Sequence, residues 1–187
     1  VAAITFYGMS TFEGPLLSIK SVNSLGHFTD WIIGHVHSGA LGWNGLLTFA
    51  MVYFLVPILW NTQLYSKKLA NVHFWTAFPA VVTYYVSMTA AGITQGLMWK
   101  AIDEKGKLVY PDFIETVTKI MPLYYVRAFA GLLFIAGFLV MCYNIFKTIQ
   151  LAPKSVPEKA VKVKDTRNIQ ELGATFHRKL EGATTVF

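Results

Sequence analysis

Charged residues are missing from three long parts of the sequence. Residues 31–66, 71–99 and 128–146 contain no Asp, Glu, Lys or Arg. Each stretch reaches the roughly 18 to 20 residues that a helix needs to cross a lipid bilayer. Because 54% of the 187 residues are hydrophobic and only 14% are charged, the sequence predicts three complete transmembrane helices rather than a soluble domain.

Cysteine is nearly absent, which excludes two kinds of site. Cys142 is the only cysteine and lies in an apolar run, so neither a disulfide nor a Cys-based metal site is available. The chain also opens without methionine or the basic, small-residue pattern of a signal peptide. Its apolar segment 1–12 is too short to span a bilayer, and we expect it to be the end of a longer helix.

Acidic residues are outnumbered by basic ones, which gives a net charge of +6. This excess does not predict a nucleic-acid partner, because the basic residues lie outside the apolar stretches. Of the 16 Lys and Arg residues, ten lie in the turn 61–71 or beyond Phe146, and six lie on the opposite side. By the positive-inside rule, the turn and the C-terminal tail are predicted to face the cytoplasm, and membrane lipid is the expected surrounding.

The predicted fold is all-α, a polytopic bundle of transmembrane helices. Its membrane part covers residues 1–149, and residues 150–187 are predicted to be a tail or linker because they combine two prolines with alternating charge. The membrane part is expected to begin with a truncated helix that ends near Glu13, Gly14 and Pro15. Three full spans are expected at about 28–60, 72–99 and 123–148. The expected connections are a polar segment over 18–26, a turn at 61–71 and a loop at 100–122.

Three ionisable side chains within or beside the apolar stretches are candidates for function: Glu13, His35 and His37. An ionisable group is costly inside a bilayer and needs a partner or a role. Residues two apart on an α-helix point about 200° apart, so His35 and His37 cannot hold one metal together. They can instead each ligate a different haem, because imidazole is an ordinary axial ligand of haem iron.

Other interpretations of these residues remain open. The two histidines could form hydrogen bonds between helices or line a water-filled cavity. Glu13 could lie at the membrane interface, or it could accept a hydrogen bond from the outer nitrogen of a ligating imidazole. The small residues around the histidines would admit either a macrocycle or a neighbouring helix; they are Gly34, Ser38, Gly39 and Gly42.

Four segments carry a family resemblance. The run GHVHSGALGW at 34–43, preceded by His27 and Asp30, resembles the tenth helix of the catalytic subunit of cbb3-type cytochrome c oxidases, the C-family of haem-copper oxidases. The resemblance covers roughly the first 150 residues in order. Its other segments are YGMSTFEGP at 7–15, similar to the ninth helix, GITQGLMW at 92–99, similar to the eleventh, and YVRA at 125–128, similar to the start of the twelfth.

The resemblance implies a role for each of the three candidates. His35 matches the proximal ligand of the high-spin haem b, His37 matches one axial ligand of the low-spin haem b, and Glu13 matches the carboxylate that hydrogen-bonds the proximal histidine. The implied function is a terminal oxidase of a twelve-helix fold that takes electrons from cytochrome c, reduces oxygen to water and translocates protons. The copper ligands, the cross-linked tyrosine and the second low-spin ligand belong to earlier helices of the family, so this chain is not expected to be catalytically complete.

Further residues match weaker family features. His27 and Asp30 match positions close to the haem propionates, although both could equally be interfacial residues facing water. Lys100 and Arg127 are lesser candidates of the same kind, because a cation at a helix end is usually a membrane anchor. His73 is expected to be an interfacial histidine. No role is assigned to the aromatics Trp31, Trp43, Tyr84 and Tyr85.

The resemblance also implies partners and a location. The expected partners are the remaining helices of the subunit, membrane-anchored c-type cytochrome subunits and oxygen, in the inner membrane of a bacterium. FHRKLEG at 176–182 resembles the beginning of the membrane-anchored cytochrome c subunit, so a fusion of the two subunits is a further expectation. The alternatives are the catalytic subunit of a nitric oxide reductase, and a transporter or structural subunit without haem.

Overall fold

The structure, a computed structural model, describes residues 1–153 and is all-α over that part of the chain, as predicted. Its only β-type pairing is an isolated bridge between Ile102 and Leu108. Candidate tail residues beyond 153, including His177 and the segment 176–182, lie outside the described residues. The helices are α1 (Ala2–Ser18), α2 (Lys20–Gly26), α3 (Asp30–His37), a π-helix (Ser38–Gly45), α4 (Leu46–Leu59), α5 (Lys67–Lys100) and α6 (Phe113–Gln150).

The predicted polar connection over 18–26 is wrong, because α2 makes most of it helical. The first helix also continues beyond Glu13 and includes Pro15, after which Ser18 Oγ donates a hydrogen bond to the Pro15 carbonyl at 2.6 Å. Asn23 Nδ2 donates to the Leu17 carbonyl at 3.0 Å, and this bond joins α2 to the end of α1. A helix of seven residues is marginal by itself, so contacts outside it, such as the Asn23 bond to α1, stabilise it.

The predicted loop 100–122 is too long, because α6 begins at Phe113. Asp112 caps this helix, since its Oδ1 accepts a hydrogen bond from Ile114 N at 2.9 Å. Glu115 lies in the first turn, where a carboxylate interacts favourably with the helix dipole. Pro122 lies inside the helix instead of ending the loop.

Two helical stretches are long and apolar enough to cross a membrane: Asp30–Leu59 and Phe113–Gln150. They correspond to the predicted spans at 28–60 and 123–148. The predicted span at 72–99 lies within α5, whose 34 residues extend about 50 Å. Small and polar side chains make α5 less apolar than the other two, so its membrane crossing remains a prediction.

Helix α5 packs between α3 and α6 and contains many of the buried residues. Two glycines permit its close approach to the first half of the chain. A Cβ atom added at Gly92 would lie 2.0 Å from the Trp31 backbone nitrogen, and one added at Gly96 would lie 2.1 Å from the Leu25 carbonyl oxygen. Because backbone atoms cannot move aside as side chains do, only glycine fits at these two positions.

The small residues around the histidines contact neighbouring helices. A Cβ atom at Gly34 would lie 3.1 Å from Met88 Cβ of α5, and one at Gly42 would lie 2.4 Å from the Phe6 ring of α1. Phe6 in turn belongs to a core cluster with Leu46 and Val81. Of the two open interpretations, the structure therefore supports helix packing at Gly34 and Gly42 rather than space for a macrocycle.

The connection between α4 and α5 is bound to α6 by side chains of that helix. Asn144 accepts a hydrogen bond from Ser66 N at 3.0 Å and donates one to the Ser66 carbonyl at 2.9 Å. Thr148 Oγ1 accepts from Tyr65 N at 3.0 Å. Both α6 side chains are completely buried, so these bonds satisfy polar backbone groups that would otherwise be costly to bury.

Substituting Gly92 by Ala is expected to lower the free energy of unfolding by about 1 to 3 kcal/mol, because the new methyl group overlaps the Trp31 backbone. The measurement is the thermal unfolding midpoint of the purified protein in detergent. Gly8→Ala is the matched control, since within residues 1–153 a Cβ at that position meets no atom within 4 Å apart from its chain neighbours and the backbone of its own helix. Equal midpoints for the two variants would contradict the close packing of α3 on α5.

Candidate functional site

His35 lies in the last turn of α3 and contacts the carboxylate of Glu13 on α1. The distance from His35 Nδ1 to Glu13 Oε2 is 3.2 Å. A carboxylate can only accept a hydrogen bond, so in this pair Nδ1 carries the proton and donates it. The second ring nitrogen, Nε2, is then the one with a free lone pair, as a metal-ligating imidazole requires.

Glu13 is itself buried, with 5% of its surface exposed, and two further side chains bind it. Trp31 Nε1 donates to Glu13 Oε1 at 2.6 Å, and the Tyr85 hydroxyl donates to the same oxygen at 3.1 Å. The carboxylate thus joins α1, α3 and α5. This burial does not agree with an interfacial glutamate facing water; it agrees with a partner of a ligating histidine.

Trp31 and Tyr85 are residues of this site to which the sequence analysis assigned no role. The signal for Trp31 was available, because it precedes His35 by four residues and so lies on the same face of α3. Tyr85 lies 72 residues after Glu13, and nothing in the local sequence predicts their contact.

His37 also has Nδ1 engaged, but by its own helix. The ring nitrogen lies 2.8 Å from the Ile33 carbonyl oxygen, one turn earlier. Since a carbonyl only accepts, Nδ1 is again the donor and Nε2 retains its lone pair. The ring packs on Tyr84 with 4.8 Å between centroids and lines a cavity of about 210 Å³ that α5 and α6 also border.

The two imidazoles contact different parts of the bundle, in agreement with their predicted divergence. His35 faces Glu13 of α1, whereas His37 faces Tyr84 of α5 and the cavity beside α6. The helix changes directly after His37 into the π-helix Ser38–Gly45, which sequence periodicity did not predict. Such segments are frequent at functional sites, and the three glycines and one serine of this one are the available signal.

The residues fit haem ligation in their donor chemistry. Each imidazole is fixed through Nδ1 and leaves Nε2 for iron, which is the usual arrangement of a histidine ligand and its outer hydrogen bond. Within residues 1–153 there is no group of three or more His, Cys, Asp or Glu side chains that could surround a metal ion. Residues 1–153 therefore offer single imidazole donors and not a complete metal cage, and the individual ligand roles remain predictions.

Asp30 is buried and satisfied by protein groups. Gln95 Nε2 donates to Asp30 Oδ2 at 2.9 Å, the Tyr124 hydroxyl donates to the same oxygen at 2.7 Å, and Asp30 N donates to Gln95 Oε1 at 2.7 Å. Asp30 is only 7% exposed, so it is not a residue facing water. Its contact with a haem propionate stays a prediction.

His27 lies just outside the helix that carries His35, in agreement with a span predicted to begin at about residue 28. It follows α2, and Phe28 adopts φ 64° in the turn before α3 begins at Asp30. The His27 side chain is exposed and packs edge to face on the Phe28 ring. Its role near a propionate stays a prediction.

Lys100 and Arg127, the two basic candidates near the haem propionates, each contact another side chain within residues 1–153. Lys100 Nζ donates to Ser24 Oγ at 2.6 Å and so ties the end of α5 to α2. The Arg127 guanidinium lies 4.5 Å from the centroid of the Tyr124 ring, a cation–π contact that places it beside the hydroxyl bound to Asp30.

His73 is buried and does not face water, which is not the placement expected for an interfacial histidine. Only 3% of its surface is exposed, and its Nδ1 lies 3.2 Å from the Tyr53 hydroxyl. The Phe49 ring packs on it edge to face. Its Nε2 has no hydrogen-bond partner among residues 1–153.

The fold and this site define a class: an all-α protein with helices long enough to span a membrane, one of which directs two imidazoles to separate surroundings. The chain belongs to the cytochrome c and quinol oxidase polypeptide I family, whose model matches residues 1–133. That match covers α1 to α5 and more than half of α6.

Individual relatives agree with this membership. The chain is 55% identical over 150 residues to a cytochrome c oxidase subunit 1 homolog of Agrobacterium tumefaciens (strain T37), which covers 80% of this chain and 28% of that protein. It is 54% identical over 156 residues to the cytochrome c oxidase subunit 1 of Rhodobacter capsulatus, with 83% and 29% covered. It is 46% identical over 164 residues to the cbb3-type cytochrome c oxidase subunit CcoN1 of Stutzerimonas stutzeri, with 87% and 34% covered. The chain thus spans about a third or less of these relatives' length.

Replacing Gln95 by Leu is expected to destabilise the protein by about 1 to 3 kcal/mol, because the Asp30 backbone N–H and carboxylate would each lose a buried partner. The thermal unfolding midpoint measures the change. Gln150→Leu at the exposed end of α6 is the matched control. An unchanged midpoint for the Gln95 variant would show that other groups satisfy Asp30.

Proposed function

We propose that this chain is the haem-binding part of a terminal respiratory oxidase that transfers electrons from cytochrome c to oxygen. His35 would hold the high-spin haem b and His37 one side of the low-spin haem b. The observation that carries the proposal is the arrangement of the two rings, each fixed through Nδ1 and each facing a different part of the bundle. The names of the relatives support the oxidase class.

The protein's own contribution is to hold and orient the ligands. When bound, the two haems would supply one-electron chemistry, and oxygen would be reduced at the high-spin haem together with a copper ion. The hydrogen bond from His37 to Ile33 O sets the orientation of the one ring, and the bond from His35 to Glu13 sets that of the other. Since both ligands lie on one helix, the backbone between them fixes their separation.

Glu13 would do more than orient His35. A carboxylate that accepts the outer N–H of a ligating imidazole increases the basicity of the ligand. A more basic ligand stabilises oxidised iron, so Glu13 is expected to lower the reduction potential of the haem on His35.

The subtype, partners and location are part of the same proposal. The resemblance and the Stutzerimonas relative favour a cbb3-type oxidase, with membrane-anchored c-type cytochromes as electron-donating subunits. The copper ligands and the second low-spin ligand would come from other helices of the subunit. The resemblance favours the inner membrane of a bacterium, and the charge distribution favours a tail in the cytoplasm. Proton translocation and a fusion to the cytochrome c subunit extend the proposal.

The alternatives have less support. A nitric oxide reductase shares the paired-histidine helix, but the relatives named above are cytochrome c oxidase subunits. A transporter or structural subunit would use the histidines for proton transfer or helix packing. The His35 bond to Glu13 does join two helices, but both histidines are engaged through Nδ1 and keep Nε2 for a ligand, which favours cofactor binding.

Haem content of the assembled protein tests the ligand assignment. His35→Ala and His37→Ala are each expected to reduce the haem b content from about two per complex to about one, because each removes a different axial ligand. The measurement is the pyridine haemochrome assay, with optical spectra to show which haem is lost. His177→Ala, far along the chain in the tail, is the control. Retention of both haems in both variants would rule out the assignment.

Rates of gas reduction by the assembled protein distinguish a cytochrome c oxidase from a nitric oxide reductase. With a reduced c-type cytochrome as donor, oxygen consumption is expected to be faster than nitric oxide consumption, because the site would hold copper beside the high-spin haem. Gas-selective electrodes measure both rates on one preparation. Faster nitric oxide consumption, with iron in place of copper by elemental analysis, would favour the reductase.

A further inference from the structure

The carboxylate of Glu13 distributes its hydrogen bonds unequally between its two oxygens. Oε1 accepts from Trp31 at 2.6 Å and from Tyr85 at 3.1 Å, whereas Oε2 has His35 at 3.2 Å. The shortest bond therefore belongs to a tryptophan that cannot ligate a metal, and the longest to the proposed ligand. A distance of 2.6 Å is short for an N–H donor, and hydrogen bonds to an ionised acceptor are shorter than those between neutral groups.

Glu13 depends on these three donors for its stabilisation. The carboxylate is 5% exposed, and its only ion-pair contact within residues 1–153 is the one with His35. A buried carboxylate without a Lys or Arg partner must share its negative charge with hydrogen-bond donors. Each donor that takes part of this charge leaves less for the others.

We propose that Trp31 and Tyr85 limit how strongly Glu13 polarises His35, by drawing the negative charge of the carboxylate toward Oε1. This inference rests on the proposed role of His35 as a haem ligand. The two residues act through Glu13 and do not touch a cofactor, so they are positioning and charge-tuning residues. Glu13 lowers the reduction potential of the haem that His35 would hold, and Trp31 and Tyr85 together limit how far it is lowered.

The proposal predicts a direction that a purely structural role does not. If Trp31 and Tyr85 share charge, removing either donor leaves more negative charge at Oε2 and strengthens the bond from His35. The ligand then becomes more basic, which strengthens the iron–histidine bond and stabilises oxidised iron. If the two residues only hold Glu13 in place, their removal loosens the same bond and produces the opposite changes.

The main test variant is Tyr85→Phe in the assembled oxidase, because it removes the hydroxyl and keeps the ring. The iron–histidine stretching band of the reduced high-spin haem is expected to shift to higher frequency in resonance Raman spectra, and the reduction potential of that haem to become more negative. Tyr125→Phe on α6 is the matched control, since Tyr125 is 70% exposed and is not among the three residues that bind the Glu13 carboxylate within residues 1–153. No shift, or shifts in the opposite direction, would overturn the proposal for Tyr85.

Trp31→Phe is the second variant and is expected to shift both quantities in the same direction by a larger amount, because its bond is the shorter one. Trp31 also packs against Gly26 and Gly92, so folding must be checked by haem content first. Trp75→Phe, with Trp75 62% exposed on α5, is its control. A smaller shift than that of Tyr85→Phe would overturn the ranking of the two donors.

The Glu13→Gln variant shows whether the effect passes through the carboxylate charge. This change is expected to lower the stretching frequency and raise the potential, because a neutral amide polarises His35 less. In that background, Tyr85→Phe is expected to lose most of its effect, since no negative charge remains to be shared. An undiminished effect would overturn the charge-sharing mechanism.

Failure of this proposal is distinguishable from failure of the proposed function. Haem b content and its dependence on His35 report on ligation, and the band position and potential report on tuning. A protein that loses its high-spin haem in the His35 variant but shows no shift in the Tyr85 and Trp31 variants would keep its function and contradict the tuning role.

Discussion

A carboxylate buried between three helices is the interaction on which the site depends. Taking an ion out of water costs on the order of several kcal/mol of free energy. Hydrogen bonds to Glu13 offset this cost only while the three donors remain within hydrogen-bonding distance. Those donors lie on α3 and α5, so the cost of separating the helices includes the cost of leaving the charge unsatisfied. The close approach at Gly92, where a methyl group would overlap the Trp31 backbone, makes this geometry possible. Packing and electrostatics at the site therefore support each other.

The second constraint is the helix that carries both histidines. Two residues of separation direct the rings to different neighbours, and each ring is oriented by a hydrogen bond through Nδ1. The change to a π-helix directly after His37 alters the register of the residues that follow, while the glycines there allow α1 to pack closely. One continuous stretch, Asp30–Leu59, thus combines a length that can span a membrane with two separately presented imidazoles.

Much of the fold follows from local sequence, and its failures have physical reasons. The absence of charge predicted the positions of the apolar helices, because charge is excluded from a bilayer regardless of the partners. It did not predict α2, whose seven residues depend on contacts with α1 and α5. It also missed the first turns of α6, although Asp112 and Glu115 form a capping pattern, because those turns extend beyond the charge-free stretch. Pro122 lies at the end of the predicted loop, yet α6 accommodates it.

Local sequence was enough to predict the all-α class and the divergence of His35 and His37. Both features depend on composition and on helix periodicity, which act within one segment, whereas the pairing of Glu13 with His35 was implied only by the family resemblance. The tertiary structure alone decided that Tyr85 shares the Glu13 carboxylate, that Gln95 and Tyr124 satisfy Asp30, and that His73 is buried. The physical reason is that each of these contacts joins residues far apart in the chain, and only the packing of α5 against its neighbours brings them within hydrogen-bonding distance.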